Sequence, residues 1–157
     1  MKPNRKPFLL WILLTEAVGG LSGWITRDGT KLYSQSILQP PLSPPGWVFP
    51  MVWTILFALM GIGAARIYRT PPSKARSLGL NLFIAQLAVN FFWSPIFFNR
   101  QAFGFAFFWL LLLLALVLAM TAAFRKTDPL AAKLQIPYLL WLTFAAYLNI
   151  GIWLLNP

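Results

Sequence analysis

The chain has 157 residues, of which 59% are hydrophobic, 17% are aromatic and only 10% are charged, and its mean hydropathy is +0.67. So few charged side chains cannot cover a soluble globule, and the composition therefore excludes an ordinary soluble domain and predicts an integral membrane protein. A net charge of +10 would suggest a nucleic-acid partner in a soluble domain, but here the basic residues lie in short connectors between apolar runs, where they set topology, and we expect no such partner.

Five apolar runs are long enough to cross a bilayer, and the first follows a basic N-terminal collar. We expect this run of about 18 residues to be retained, because it lacks the small-x-small cleavage site of a signal peptide. Gly19 and Gly23 form a GxxxG pair that would let another helix approach closely. Glu16, near the middle of the run, predicts either a functional group or a protonated, hydrogen-bonded carboxyl facing the third or fifth span. The predicted spans are residues 8–25, 46–68, 78–98, 103–124 and 130–155.

The first connector, residues 26–45, is long and ends in prolines. Connectors of this kind are uncommon and tend to be lids or binding loops. Because proline fixes φ and lacks an amide donor, residues 40–45 are expected to be stiff and extended. The chain then enters the membrane with Trp47 and Phe49 at the interface and Trp53 about two turns deeper. This pattern is typical either of the mouth of a pocket or of an aromatic belt at a helix start.

Polar side chains mark the third span. Gln86 and Asn90 lie four residues apart on one helical face, and Trp93 follows three residues later. With Asn81 the span holds three amide side chains, which are costly toward lipid, so this face should look inward. The fourth span has no polar side chain before Thr121 and is expected to form a lipid-facing wall.

Two prolines and the distribution of cations give further expectations about helix shape and orientation. Pro50 in the second span and Pro137 in the fifth are expected to bend their helices. Ten of the thirteen cations lie on the N-terminal side of the membrane, and the opposite side has only Arg27, Lys31 and Arg100. This bias predicts a cytoplasmic N-terminus, with the first connector and the C-terminus on the opposite side.

Three motifs occur in an order known from one family. They are PPGWVFPMVWTILF in the second span, QLAVNFFWSPIFF in the third and PYLLWLTFAAYLN in the fifth. In these motifs the chain resembles the TspO/MBR family, which comprises the tryptophan-rich sensory proteins of bacteria and the mitochondrial translocator protein, also called the peripheral benzodiazepine receptor. The resemblance covers essentially the whole chain. It implies one transmembrane domain over residues 1–157, an all-α bundle of five helices with a long lid loop between helices 1 and 2.

The resemblance also implies a ligand site. The family binds tetrapyrroles such as protoporphyrin IX and haem, sterols and benzodiazepine-type ligands, and its members are often homodimers. A bacterial plasma membrane is the expected location. By motif position, the implied ligand-binding residues are Trp47, Phe49, Trp53, Phe57, Gln86, Asn90, Trp93, Trp141, Phe144, Ala145, Ala146 and Leu148. The implied lid residues are Arg27, Lys31, Pro40, Pro44 and Pro45.

Several positions depart from the family pattern. The family usually has tryptophan at the position of Leu42 and tyrosine at the position of Phe57, so one aromatic wall and one hydroxyl donor are missing here. The sterol motif of animal members needs a tyrosine and then a basic residue in the last span, where this chain has Ile150 and Leu154. We therefore do not expect sterol recognition through that motif.

A porphyrin places its own chemical demands on a site. A flat apolar macrocycle with two propionates needs aromatic planes, a few hydrogen-bonding groups and cations at the rim. Each tryptophan alone is compatible with helix packing, and motif position favours a ligand role for Trp53 and Trp141. Arg27 or Lys31 would meet a propionate. The chain has no histidine or cysteine, which removes the strong axial ligands of haem iron and the usual metal sites, so we expect free porphyrin as ligand and no required cofactor.

Three functions are compatible with this sequence. The first is a membrane sensor or binding protein for tetrapyrroles, and the second is a porphyrin or sterol transporter, for which no inverted repeat is visible. The third is light- or oxygen-dependent porphyrin degradation involving Trp53 and Trp141, although the chain offers no acid, base and nucleophile set and we expect binding rather than catalysis. A homodimer would use small residues, either Ala85 and Ala88 on the third span or Gly61 and Ala65 on the second.

Overall fold

Long apolar segments in a bilayer must satisfy their backbone hydrogen bonds internally, and they therefore fold as helices. A computed structural model describes residues 5–157, and no strand occurs in that range. Lys2, one of the ten cations counted above, lies outside it. The helices are α1 (Lys6–Ile25), α2 (Arg27–Ser36), α3 (Val48–Tyr68), α4 (Lys74–Ser94), α5 (Phe103–Thr127), α6 (Pro129–Lys133) and α7 (Ile136–Leu155). A π-helical turn, Pro95–Asn99, extends α4.

Five of these segments are long and apolar enough to cross a membrane: α1, α3, α4 with its π-helical turn, α5, and α6 with α7. The predicted all-α fold with five spans is therefore confirmed. The spans neighbour one another in the order α3, α1, α4, α5, α7. The contact surfaces between successive helices of this series are here called seams. At each of the four seams, a small residue or a short hydrogen bond lets the two helices approach closely. The contacts are Gly61 on Ile12, Ser22 to the Phe91 carbonyl, Gly79 on Phe124, and Gly104 on Trp153.

The α1–α3 seam depends on a glycine. A Cβ added at Gly61 would lie 2.6 Å from the Ile12 Cα, so the two backbones would have to separate. We expect Gly61→Ala to lower the free energy of unfolding by about 1–3 kcal/mol through overpacking. Gly20→Ala is the matched control, because nothing lies within 4 Å of the added Cβ there. Thermal unfolding in lipid nanodiscs measures both variants, and equal stability of the two would contradict the close contact.

Pro50 in the second span and Pro137 in the fifth span each lie in the first turn of a helix. Pro50 is the third residue of α3, and Pro137 is the second residue of α7. Proline is tolerated in a first turn because the amide there has no partner within the helix. The break in the fifth span comes earlier, at residues 134–135 between α6 and α7. The fifth span is therefore interrupted, as expected, but just before Pro137 rather than at it.

Helix α5 faces lipid on one side only. Its buried stripe includes Leu110, Leu113 and Val117, while Leu112 and Leu118 are exposed. The buried stripe packs between α4 and α7. A helix that is apolar all round gives no periodic signal of which stripe is buried, so the expected lipid-facing wall is correct for only part of its surface.

The long first connector is not a loop throughout. Its first half is helix α2, which lies against the π-helical turn after α4. Gly29 lies under the backbone of Phe98, and the Tyr33 ring packs on Phe97 and Phe98. Burial raises the pKa of Tyr33 to about 12, so its hydroxyl is neutral at physiological pH. The predicted extended segment over residues 40–45 contains a turn, because Leu42 has a φ of 70°.

Candidate functional site

Residues 37–47, here called the strap, lead from α2 to the start of α3 along the last turns of α7. The Asn156 side chain accepts a hydrogen bond from the Leu38 amide at 3.1 Å and donates one to the Leu38 carbonyl at 2.8 Å. Further along, the Tyr147 hydroxyl donates to the Pro41 carbonyl at 2.8 Å. The strap is therefore fastened to α7 at two levels by side chains of α7 and its C-terminal cap.

The predicted lid residues differ in their surroundings. Pro40 is buried against Gly151, whereas Pro44 is half-buried and Pro45 is exposed. The Arg27 guanidinium donates to the Trp24 carbonyl at 2.7 Å and lies 4.5 Å from the centre of the Trp24 indole ring. Lys31 is exposed on α2. The prolines thus belong to the strap, and the two cations belong to α2.

The seam between α3 and α7 is bridged by aromatic rings and lacks the close backbone contact of the other seams. The backbones of α3 and α7 lie farther apart than those of the other neighbouring spans. The Phe49 and Trp141 ring centroids are 5.9 Å apart, and those of Trp53 and Tyr138 are 6.1 Å apart. Trp53 also lies 5.5 Å from Phe57. These five residues are called the aromatic cleft, and four of them belong to the predicted site.

Two indole donors in the aromatic cleft are unused. Trp53 and Trp141 are half-buried, and neither N–H donates a hydrogen bond within residues 5–157. Buried tryptophans usually find an acceptor for this group. By contrast, the Trp109 N–H donates to the Val89 carbonyl at 2.8 Å. The cleft therefore offers two ring faces and two free donors.

A buried polar network lies directly behind Trp53. The Asn90 amide donates to the Tyr138 hydroxyl at 2.6 Å, and that hydroxyl donates to Gln86 Oε1 at 2.8 Å. Gln86 Nε2 reaches the Met60 sulfur at 3.8 Å. Asn90 Oδ1 accepts no hydrogen bond from the described residues. The inference that the amides of the third span look inward is thus correct for Gln86 and Asn90, whereas Asn81 is exposed.

Tyr138 is the residue that the predicted site lacks. Only 1% of it is exposed, and it joins the polar network to the aromatic cleft. The spacing of Gln86 and Asn90 indicates a shared partner, because amides four residues apart on one face can both reach a single hydroxyl from an opposite helix. The sequence did not identify which of several hydroxyls on the last span would fill that role.

Trp93 is bonded to Asn149 and packs outside the aromatic cleft. Its N–H donates to Asn149 Oδ1 at 3.2 Å, and its ring stacks on Phe97 with centroids 4.7 Å apart. The Asn149 amide in turn donates to the Phe103 carbonyl at 2.8 Å. Trp93 and Asn149 thus join α4, α5 and α7 in a structural cluster, and the Trp93 donor is not free for a ligand.

The remaining predicted site residues lie around the cleft at different depths. Trp47 is 67% exposed at the start of α3. The Phe144 ring lies 5.6 Å from Trp141, so it extends the aromatic cleft along α7. Ala145 and Ala146 are half-buried and pack on the core, and Leu148 is buried.

Glu16 is the carboxyl within the first span. It is half-buried on α1, and it makes no hydrogen bond or ion pair within the described range 5–157. The neighbouring Thr15 faces α3, since its hydroxyl donates to the Phe57 carbonyl at 2.7 Å. The expected hydrogen bond to the third or fifth span is absent from that range.

These features define an integral membrane protein with five spans, in which an aromatic cleft between α3 and α7 is backed by buried amides. The sequence profile of the TspO/MBR family matches residues 11–154. The chain belongs to the TspO/MBR family, as its three motifs predicted.

Related proteins cover most of the chain. It is 38% identical to the translocator protein of Ovis aries, over 89% of this chain and 85% of the relative. It is 37% identical to the tryptophan-rich protein TspO of Chlorobaculum tepidum, over 94% of each. It is 36% identical to the protein CrtK of Rhodobacter capsulatus, over 90% of this chain and 88% of the relative.

Proposed function

We propose that the protein binds tetrapyrroles such as protoporphyrin IX in the aromatic cleft between α3 and α7. The observation that carries this proposal is the pair of half-buried tryptophans, Trp53 on α3 and Trp141 on α7, whose N–H groups have no acceptor among residues 5–157. Flat aromatic ligands stack on such rings, and a small number of polar groups then sets their orientation. The cleft provides both kinds of group.

The polar groups fit a porphyrin without iron. Asn90 Oδ1, behind the cleft, accepts no hydrogen bond from the described part of the chain, and the inner N–H groups of a free-base macrocycle are donors. The propionates are assigned to the outer end of the bundle, where Arg27 and Lys31 lie on α2. Arg100 is the third cation on that side. Ion pairing at the rim and stacking in the cleft would thus act on opposite parts of one ligand.

A titration tests the proposal. Purified protein in lipid nanodiscs is titrated with protoporphyrin IX, with haem and a sterol for comparison. Saturable quenching of tryptophan fluorescence at one porphyrin per chain supports the proposal, and partition indistinguishable from that of empty nanodiscs refutes it. A new absorbing product on illumination of the complex would favour degradation over simple binding, and flux across liposomes would favour transport.

We also propose that the protein lies in a bacterial plasma membrane with its N-terminus in the cytoplasm. The cation bias supports this orientation. Because the chain has no cysteine, single-cysteine variants report sidedness cleanly. A membrane-impermeant maleimide on intact cells should label Ser34→Cys on α2 and spare Ser73→Cys before α4. The reverse pattern would invert the topology.

We propose further that the protein forms a homodimer through α4. Ala85 and Ala88 are exposed on that helix and allow close approach of a second copy. The alternative pair on α3 does not suit this role, because Gly61 and Ala65 are buried within the chain. Ala88→Trp should convert the dimer to a monomer in size-exclusion chromatography with light scattering, and a variant that stays dimeric would exclude this face.

A further inference from the structure

The seam between α3 and α7 contains a groove that faces the lipid. Its volume is about 370 Å³, and its lining is apolar. The α3 wall includes Ile55, which is 54% exposed, and the α7 wall includes Leu140, which is 68% exposed. Trp141 lines the groove and also contacts Phe49 in the aromatic cleft. The Trp141 ring therefore belongs both to the groove and to the aromatic cleft.

The seam is held at both ends and lacks close backbone contact between them. At the inner end, Gln135 is fully buried, and its amide donates to the Leu59 carbonyl of α3 at 3.4 Å. At the outer end, the strap is fastened to α7 by the Tyr147 hydroxyl. Between these points the two helices meet through aromatic side chains, which can rotate without breaking a helix.

The alternative routes into the cleft are obstructed by specific contacts. The other four seams of the bundle are closed by glycines or by the Ser22 hydrogen bond. The route along the bundle axis requires release of the strap, including the paired hydrogen bonds between Leu38 and Asn156. An apolar macrocycle concentrates in the hydrocarbon of a bilayer, so it already lies beside the groove.

We propose that the groove between α3 and α7 is a lateral entrance through which the hydrophobic ligand passes between the bilayer and the aromatic cleft. Trp141 is the movable side chain at this entrance. The inference rests on the proposed tetrapyrrole-binding function, and it adds the route of exchange. Ile55 and Leu140, on the two walls of the entrance, contact the ligand only during passage.

Filling the groove should slow exchange without changing affinity. Leu140→Trp and Ile55→Trp each add an indole to an exposed position on one wall, so neither requires the core to change. A partly filled entrance slows entry and exit equally. We therefore expect the association and dissociation rates with protoporphyrin IX each to fall by about tenfold, while Kd stays within about twofold. Stopped-flow measurement in nanodiscs uses the porphyrin's own fluorescence, since the variants add tryptophan.

Two controls distinguish the lateral entrance from a route past the strap and from a general effect of an added ring. Leu118→Trp adds the same ring to an exposed position on α5, away from this seam, and should leave both rates unchanged. Asn156→Ala loosens the strap and should also leave them unchanged. Faster exchange in Asn156→Ala, with no effect of Leu140→Trp or Ile55→Trp, would place the route at the strap and overturn the lateral entrance.

The equilibrium data distinguish the two proposals. If the groove variants weaken affinity chiefly through faster dissociation, the groove is part of the binding site and the inference is wrong. If the unmodified chain shows no saturable binding, the proposed function fails, and the entrance fails with it. Slower exchange at constant Kd in both variants supports the entrance.

Discussion

Trp141→Phe is expected to raise the Kd for protoporphyrin IX by about tenfold, because the smaller ring loses stacking area and the free N–H donor, a combined loss of about 1.4 kcal/mol. Trp53→Phe should act in the same direction, since that ring forms the α3 side of the aromatic cleft and packs against Tyr138. Equilibrium titration followed by the porphyrin absorbance measures both variants without relying on tryptophan emission.

Trp153→Phe is the matched control for this prediction. Trp153 lies on the same helix as Trp141, but its ring packs against Gly104 and Phe108 of α5, away from the cleft. Its substitution should leave Kd within about twofold of the original, because no surface offered to the ligand changes. If all three tryptophan variants weakened binding equally, the effect would be general loosening of the bundle and the assignment of the cleft would fail.

Tyr138→Phe is expected to lower the free energy of unfolding by about 1–3 kcal/mol, because it removes the one hydroxyl that joins two buried amides. Asn90 Nδ2 would lose its acceptor, and Gln86 Oε1 would lose its donor. Both groups lie inside a membrane-spanning bundle, where water is not at hand to replace the lost partner. Reversible unfolding in mixed micelles measures the difference.

Tyr147→Phe removes a comparable hydroxyl at an exposed position, where it donates to the Pro41 carbonyl. Its cost should stay below about 0.5 kcal/mol, since water can solvate the freed carbonyl. Adding Gln86→Leu and Asn90→Leu to Tyr138→Phe should recover much of the lost stability, because no buried polar group is then left alone. Equal costs for the two tyrosine variants would show that the network contributes nothing beyond packing.

The same two tyrosines show what the sequence alone does not determine, namely which hydroxyl of the last span is buried. Both lie on the last span and both carry a hydroxyl, and hydropathy does not distinguish them. The structure buries Tyr138 between Gln86 and Asn90 and leaves Tyr147 exposed beside the strap. The difference comes from the rotation of α7 about its own axis, which depends on its contacts with α3, α4, α5 and the strap.

Local sequence was enough to establish the membrane class, the five spans, the inward face of the third span and the family. These follow from composition and from motifs, because an apolar run in lipid has to be a helix and an amide has to avoid lipid. Only the folded bundle shows that Trp93 is bonded to Asn149, that Trp53 and Trp141 keep free donors, and that α3 and α7 leave a groove between them. These features depend on how five nearly uniform apolar helices pack against one another. A helix that is apolar on all sides has no pattern of polar and apolar residues that would indicate which face meets which neighbour.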